Sequence, residues 1–214
     1  MTPQSQPNFD PVARIYRYAE YLTLGPLLQR TRTHFLSQLP PRQRALLLGD
    51  GDGRFLAQLF GHQPHLQALA VDTSASMLQL LRQRNHSNAN RLQTLQTSAL
   101  NFTPTNSPDL ITTHFFLDCL TQPQLDTLAQ TLAAQTTPGA LWLLSDFAIP
   151  PGPLLKPLAA LYIRALYLAF HLLTGLRTTH LPNPQTALTN AGFHRIARHE
   201  LLHGLLYTEI WQRS

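Results

Sequence analysis

Three glycines and two aspartates alternate over Gly49–Gly53, within the stretch ALLLGDGDGRF at 45–55. An apolar run, Ala45 to Leu48, leads into them, and Phe55, Leu56, Leu59 and Phe60 follow at helical spacing. The pattern predicts a buried strand, a glycine turn and a helix. Glycine takes backbone conformations that a Cβ would forbid and leaves no side chain over the main chain. At the carboxyl end of a parallel strand, that is where ligands bind. Asp72 closes a second apolar run, Leu66–Val71, and an ionised carboxylate there suits the two hydroxyls of a ribose. The turn alone is also compatible with an ordinary tight turn; its pairing with Asp72 is what points to a nucleoside ligand. The dinucleotide fingerprint asks for glycine at the sixth position, which is Arg54 here, and this argues against a nicotinamide-dependent oxidoreductase. A third candidate is His114, at the end of DLITTH. Its ordinary pKa near neutrality makes it a candidate general base, with a plain wall residue as the alternative.

On Gly49, Gly51, Gly53 and Asp72 the chain resembles the class I S-adenosylmethionine-dependent methyltransferases, whose first motif is an apolar strand running into G-x-G-x-G and whose second strand ends on an acidic residue. The stretch from Phe9 to Arg32 resembles the opening of the ubiquinone/menaquinone-biosynthesis type of C-methyltransferases through Phe9, Ala13, Tyr16, Thr23 and Gly25, with Arg17 where those have an aspartate. Asp72, Ser74 and Met77 repeat the D-x-S-x-x-M arrangement of that group, and PGALWLLSDF at 138–147 resembles the segment that ends the fifth strand in many small-molecule methyltransferases. The resemblance implies S-adenosyl-L-methionine held by Gly49, Asp50, Gly51, Gly53, Asp72, Thr73, Met77, Ser98, Ala99, His114 and Phe115. Ser98 stands where relatives carry an aspartate for the adenine amino group. His114, Phe115 and Phe116 would face the sulfonium as a flat wall suited to a cation. His114 and Tyr16 are the catalytic candidates, with helix packing the alternative for Tyr16. Ser74 equally suits a helix N-cap, and Met77 reads as a core or lid residue rather than a catalytic one.

The elements that must position these residues follow from periodicity. The resemblance implies a Rossmann-like α/β fold with a seven-stranded, mostly parallel sheet and helices on both faces. It adds an N-terminal helical cap and a helical insertion before the last two strands. We expect a disordered leader at 1–8 and a single domain at 9–214. That domain divides into a cap at 9–40, a core at 41–147, an insertion at 148–183 and a final helix and strand pair at 184–214. Asp109 and the run after it match a fourth strand beside the first, and Asp118 reads as a cap of the next helix or a holder of a backbone amide. Residues 153–176 read as one long apolar helix, too short in its uncharged part to span a bilayer, which needs about 20 residues. A lid over a lipophilic acceptor, an interfacial helix and a core or dimer face are its three readings.

The 214 residues suffice for one α/β domain. Charged residues are only 13%, against about a quarter in most soluble chains, and the net charge is +5. The basic residues are scattered with no long block, which argues against a nucleic-acid substrate; an anionic membrane surface fits better. Cys119 is the single cysteine, so no intrachain disulfide forms, and no basic neighbour in sequence marks it as a nucleophile. The polar N-terminal stretch carries no apolar signal core, giving a cytoplasmic setting, with the long helix able to lie against the inner face of a membrane. His62, His65, His194, His199 and His203 lack completing carboxylate or cysteine partners, so no metal is expected. The expected activity is methyl transfer to a small, lipophilic acceptor; a cofactor-binding pseudoenzyme is the alternative.

Overall fold

In a computed structural model, which describes residues 24–153, 155–174 and 180–214, the apolar runs become a seven-stranded sheet. In chain order, helix α1 (Gly25–Thr33) precedes strand β1 (Arg44–Leu48), helix α2 (Arg54–His62), strand β2 (Gln67–Asp72) and helix α3 (Ala75–Arg84). Strands β3 (Leu92–Gln96) and β4 (Leu110–His114), helix α4 (Gln122–Gln135) and strand β5 (Leu141–Phe147) follow. The chain closes with helices α5 (Leu155–Thr174) and α6 (Pro184–Asn190) and strands β6 (Phe193–Leu201) and β7 (Leu206–Arg213).

The sheet order is β3-β2-β1-β4-β5-β7-β6. The first five strands run parallel, and β7 lies antiparallel between β5 and β6. Burial explains the arrangement. Every residue of β4 and β5 is buried, as central strands are when helices cover both faces. The polar edge strand β3, LQTLQ, has no fully buried residue. Leu46, Ile111, Trp142 and Leu144 face one core, with Leu125, Leu128 and Leu132 of α4 and Leu188 of α6. Leu47, Leu110 and Leu143 face the other, with Phe55, Leu56 and Leu59 of α2 and Leu78 and Leu81 of α3.

Helix starts follow from local chemistry. The Ser74 hydroxyl accepts from the Met77 amide at 3.1 Å and caps α3. Thr121 and Gln124 form a capping box for α4, so the expected capping role of Asp118 falls to Thr121 instead. A third apolar cluster joins Leu28 of α1, Phe147 of β5, Ile163 and Tyr167 of α5 and Leu206 of β7. Both the N-terminal helix and the long insertion thus pack over the carboxyl edge of the sheet. Residues 1–23, with the leader, Tyr16 and most of the opening segment, lie outside the described residues.

Candidate active site

β1 sits between β2 and β4, so the chain leaves it outward in one direction and returns on the other side, opening a crevice at the carboxyl ends. The ends of β1, β2, β3 and β4 bring Gly49–Gly53, Asp72–Thr73, Ser98–Ala99 and His114–Phe115 to the same edge. Two backbone bonds tie that edge together: the Gly49 amide donates to the Val71 carbonyl at 3.0 Å, and the Thr97 amide to the Asp72 carbonyl at 3.0 Å.

The glycines divide their work. Gly49 and Gly51 both take left-handed φ, +67° and +61°, which glycine alone adopts without strain. A Cβ on Gly51 would meet nothing within 4 Å, so its backbone opens to free space. A Cβ on Gly49 would lie 2.5 Å from Phe116 Cδ2. The expected bare surface at Gly49 is therefore corrected: the Phe116 ring lies directly on it, made possible by the missing Cβ. Gly53 serves packing, since a Cβ there would stand 2.8 Å from Asn85 Nδ2 and 2.8 Å from Leu81 Cγ.

The two turn aspartates differ. Asp52 pairs with Arg54 at 2.9 Å and Arg84 at 3.0 Å and so braces the turn. Asp50 accepts from the Leu56 amide at 3.3 Å. Burial pushes its carboxyl up to about 7, with Asp52 and Asp72 adding to the rise and Arg32 and the Leu56 amide opposing it. Asp72 is half-buried, and its Oδ1 accepts from the Ser74 amide at 2.8 Å. That bond fixes the carboxylate at the mouth of the crevice. Met77 is buried. Ser98 is buried too, and its hydroxyl accepts from the Leu100 amide at 3.1 Å to cap a single turn. Ala99 packs into the α4 core.

His114 does not have the surroundings of a base poised near neutrality. Its ring is 5% exposed and lies 4.2 Å from the Phe55 ring. Burial, helped by the Arg32 charge, holds its pKa well below the ordinary value. Nδ1 lies 2.9 Å from the Ser145 hydroxyl, which is 3.0 Å from Thr208 Oγ1; Thr208 in turn donates to the Leu144 carbonyl at 3.0 Å. Every group in that chain is satisfied when Ser145 donates to Thr208 and accepts from a protonated Nδ1. This assigns the Nδ1–H tautomer and leaves Nε2 as a buried lone pair with no partner.

One neighbour, Arg32, escaped the sequence reading. Arg32 reaches in from α1, its guanidinium carbon 5.1 Å from the centre of the Phe115 ring. Phe115 itself turns out of β4 with φ +54°, and its ring stands 5.1 Å from that of Phe147. Beside them Asp118 and Asp146 are buried together. The Asp118 amide donates to Asp146 Oδ2 at 3.1 Å, and the Tyr167 hydroxyl donates to the Asp118 carbonyl at 3.0 Å. Burial raises both carboxyls, Asp118 to about 6 and Asp146 well above its ordinary value. Burial likewise pushes the Cys119 thiol up, away from nucleophilic chemistry. Among the described residues no group of three or more His, Cys, Asp or Glu is arranged to hold a metal; His199 instead stacks on His34 at 3.7 Å.

Residues 46–141 match the family model of the methyltransferase domain. No curated protein matches the sequence. Among solved structures, an O-methyltransferase family protein from Burkholderia thailandensis superposes with a TM-score of 0.72 at 18% identity, over 94% of this chain and 59% of that one. An O-methyltransferase family 2 protein from Planctomyces limnophilus, solved with apigenin, gives 0.70 at 18% identity, over 94% of this chain and 62% of the other. The N-methyltransferase NodS from Bradyrhizobium japonicum, solved with S-adenosyl-L-homocysteine, gives 0.59 at 14% identity, over 88% and 84%. The chain thus spans about three-fifths of the length of the two O-methyltransferase family neighbours. The superpositions and the sheet order give the chain the α/β fold of these methyltransferase structures, and residues 46–141 within it are similar to the methyltransferase domain.

Proposed function

We propose that the protein is an S-adenosylmethionine-dependent methyltransferase acting on a small, lipophilic acceptor by direct displacement. The observation that carries this is the crevice between β1 and β4, where open backbone at Gly51 lies one strand away from the carboxylate of Asp72. That combination fits the donor: Gly51 leaves room for its amino-acid tail, Asp72 accepts from its ribose hydroxyls, and the Ser98–Ala99 turn borders its adenine. Asp50 and the faces of Phe115 and Phe116 suit its positive charge.

When bound, S-adenosylmethionine supplies a sulfonium methyl; an acceptor atom bonds to that carbon in line while the C–S bond breaks, its electron pair staying on sulfur. The chain's share is to hold donor and acceptor in near-attack geometry and exclude water. His114, kept neutral beneath Phe55, fills the wall without taking a proton. The apolar cluster of Leu28, Phe147, Ile163, Tyr167 and Leu206, with Phe115 against it, supports a lipophilic acceptor. The quinone-type features of the sequence, the opening at 9–25 and the arrangement of Asp72, Ser74 and Met77, support the same class.

The test is isothermal calorimetry with S-adenosylmethionine, followed by mass spectrometry of lipid extracts incubated with protein and isotopically labelled donor. Binding together with a labelled product is expected, and His114→Gln should retain turnover within about threefold, since a neutral wall residue takes no proton. Binding without any labelled product over a broad acceptor panel would instead leave a cofactor-binding protein without turnover.

A further inference from the structure

Helix α5 is apolar on two sides, and the sheet uses only one of them. Ala159, Ile163 and Tyr167, one turn apart, are buried against the carboxyl edge. Leu158, Leu161 and Leu168 point the other way and are 65%, 67% and 60% exposed; Ala165, between them on the same face, is exposed too. Large exposed apolar residues are concentrated here: of the eight among the described residues, Ile149, Leu155, Leu158, Leu161 and Leu168 fall within twenty positions of one another. Ile149 and Leu202 lie at the same edge of the sheet, where the Ala148 amide donates to the Leu205 carbonyl at 2.9 Å. Soluble surfaces rarely carry such a stripe without a partner.

The charge pattern says what the partner is. From Phe147 to His199 the chain has no aspartate or glutamate, yet it holds Lys156, Arg164, Arg177, Arg195 and Arg198. Lys156 and Arg164 are exposed on α5 itself. Glu200, the first acid beyond that stretch, is paired with Arg198 at 2.7 Å. Arg195 and Arg198 are taken up by Glu209 and Glu200, but a second copy docking face to face would bring Lys156 and Arg164 together with no acid on the helix to neutralise them. An anionic lipid surface offers both what the leucines need and what the cations need. No described helix is long and apolar enough to cross a membrane, so the geometry is that of a helix lying flat, about 30 Å long for its twenty residues.

We propose that the outer face of α5 docks the protein on an anionic bilayer, with Leu158, Leu161 and Leu168 inserted among the acyl chains and Lys156 and Arg164 at the headgroups. The inner face of the same helix covers the apolar cluster beside Phe115, so docking brings that cluster next to the lipid. The docking does not depend on methyl transfer and is measured without cofactor.

The full chain is floated on a density gradient with vesicles of phosphatidylcholine plus phosphatidylglycerol, and with phosphatidylcholine alone. Flotation with the anionic vesicles, weaker with neutral ones and weakened by salt, is the expected result. Leu158→Gln/Leu161→Gln/Leu168→Gln should lower partitioning about a hundredfold, since each leucine withdrawn from water is worth up to about tenfold. Its circular dichroism and its affinity for S-adenosylmethionine should match the parent's, because the three side chains already face outward. Arg164→Gln should weaken binding to anionic vesicles about fivefold and leave neutral vesicles unaffected. The proposal fails if the parent floats with neither vesicle, or if the triple variant floats as the parent does. It also fails if the triple variant turns a dimer into a monomer by light scattering with flotation unchanged, since the face then belongs to a second copy.

Discussion

Asparagine at position 72 isolates the charge of the carboxylate from its structural duty. In the parent, Asp72 Oδ1 accepts from the Ser74 amide at 2.8 Å, and Ser74 in turn caps α3 through the Met77 amide. An asparagine Oδ1 accepts the same bond, so the turn survives; the other half of the group becomes an amide NH2. A hydrogen bond to a charged acceptor contributes about 1.5–3 kcal/mol, against about 0.5–1.5 kcal/mol for a neutral one. With two ribose hydroxyls directed at the carboxylate, Asp72→Asn should cost about 3 kcal/mol of binding, roughly a hundredfold in Kd. Asp72→Ala removes the Ser74 bond as well, which adds about 1 kcal/mol of lost stability and about 2–4 °C in Tm. Calorimetry with S-adenosylmethionine, beside thermal unfolding of each variant, separates the two effects. An asparagine variant that binds with the parent's Kd, or a loss of affinity that merely tracks the loss of stability, would refute the ribose role.

The glycines offer a contrasting pair. Gly49→Ala should destabilise the fold by about 2–3 kcal/mol, because its Cβ would collide with Phe116 at a left-handed φ. Gly51→Ala should cost only about 1 kcal/mol of stability yet abolish measurable cofactor binding, because its methyl would stand in the open space above the backbone. Urea melts and calorimetry on both variants check the pair, and the reverse order would place the cradle elsewhere. The buried Asp118–Asp146 pair sets a pH dependence. Burial raises Asp118 from 3.8 to about 6, so the folded state binds its proton more tightly than the unfolded chain does. The stability this gives is complete in acid below the unfolded value and is lost as pH rises through about 6. Asp118→Asn should therefore gain stability on the parent as pH rises from 3.8 to about 6, read as a rising difference in urea midpoint. A difference that stays flat across that range would show that the pair ionises freely.

Local chemistry made much of this architecture readable from the chain. Runs such as Ala45–Leu48 and Leu110–Ile111 had to be strands buried on both faces, and the glycine turn and Asp72 were legible as neighbours at the carboxyl edge of the sheet. The Pro138-Gly139 turn announced β5, which runs three residues beyond the apolar run Leu141–Leu144 because Ser145, Asp146 and Phe147 pair with Thr208, Tyr207 and Leu206 of β7. What the sequence hid arrives from a distance. Arg32 is far from Phe115 in the chain, and only the packing of α1 over the sheet brings them together. Phe116 was legible as an aromatic wall, but its seat on Gly49 depends on how the chain turns at Phe115. His114 carries the residue type of a base, and the environment that removes its basicity, Phe55 and Arg32, comes from two other helices.

The hydroxyl of Ser145 has one more consequence. It lies 3.5 Å from the Thr31 carbonyl of α1 but gives its one proton to Thr208, so α1 touches the interior of the sheet at this polar group without being tied to it. α5 rests on the same edge chiefly through apolar side chains and one tyrosine hydroxyl. For α5 to lift, the Tyr167 bond to the Asp118 carbonyl at 3.0 Å must break. Traffic of a greasy molecule in and out would then pass on the side that carries Leu158 and Leu161, where a bilayer would be both the reservoir and the exit.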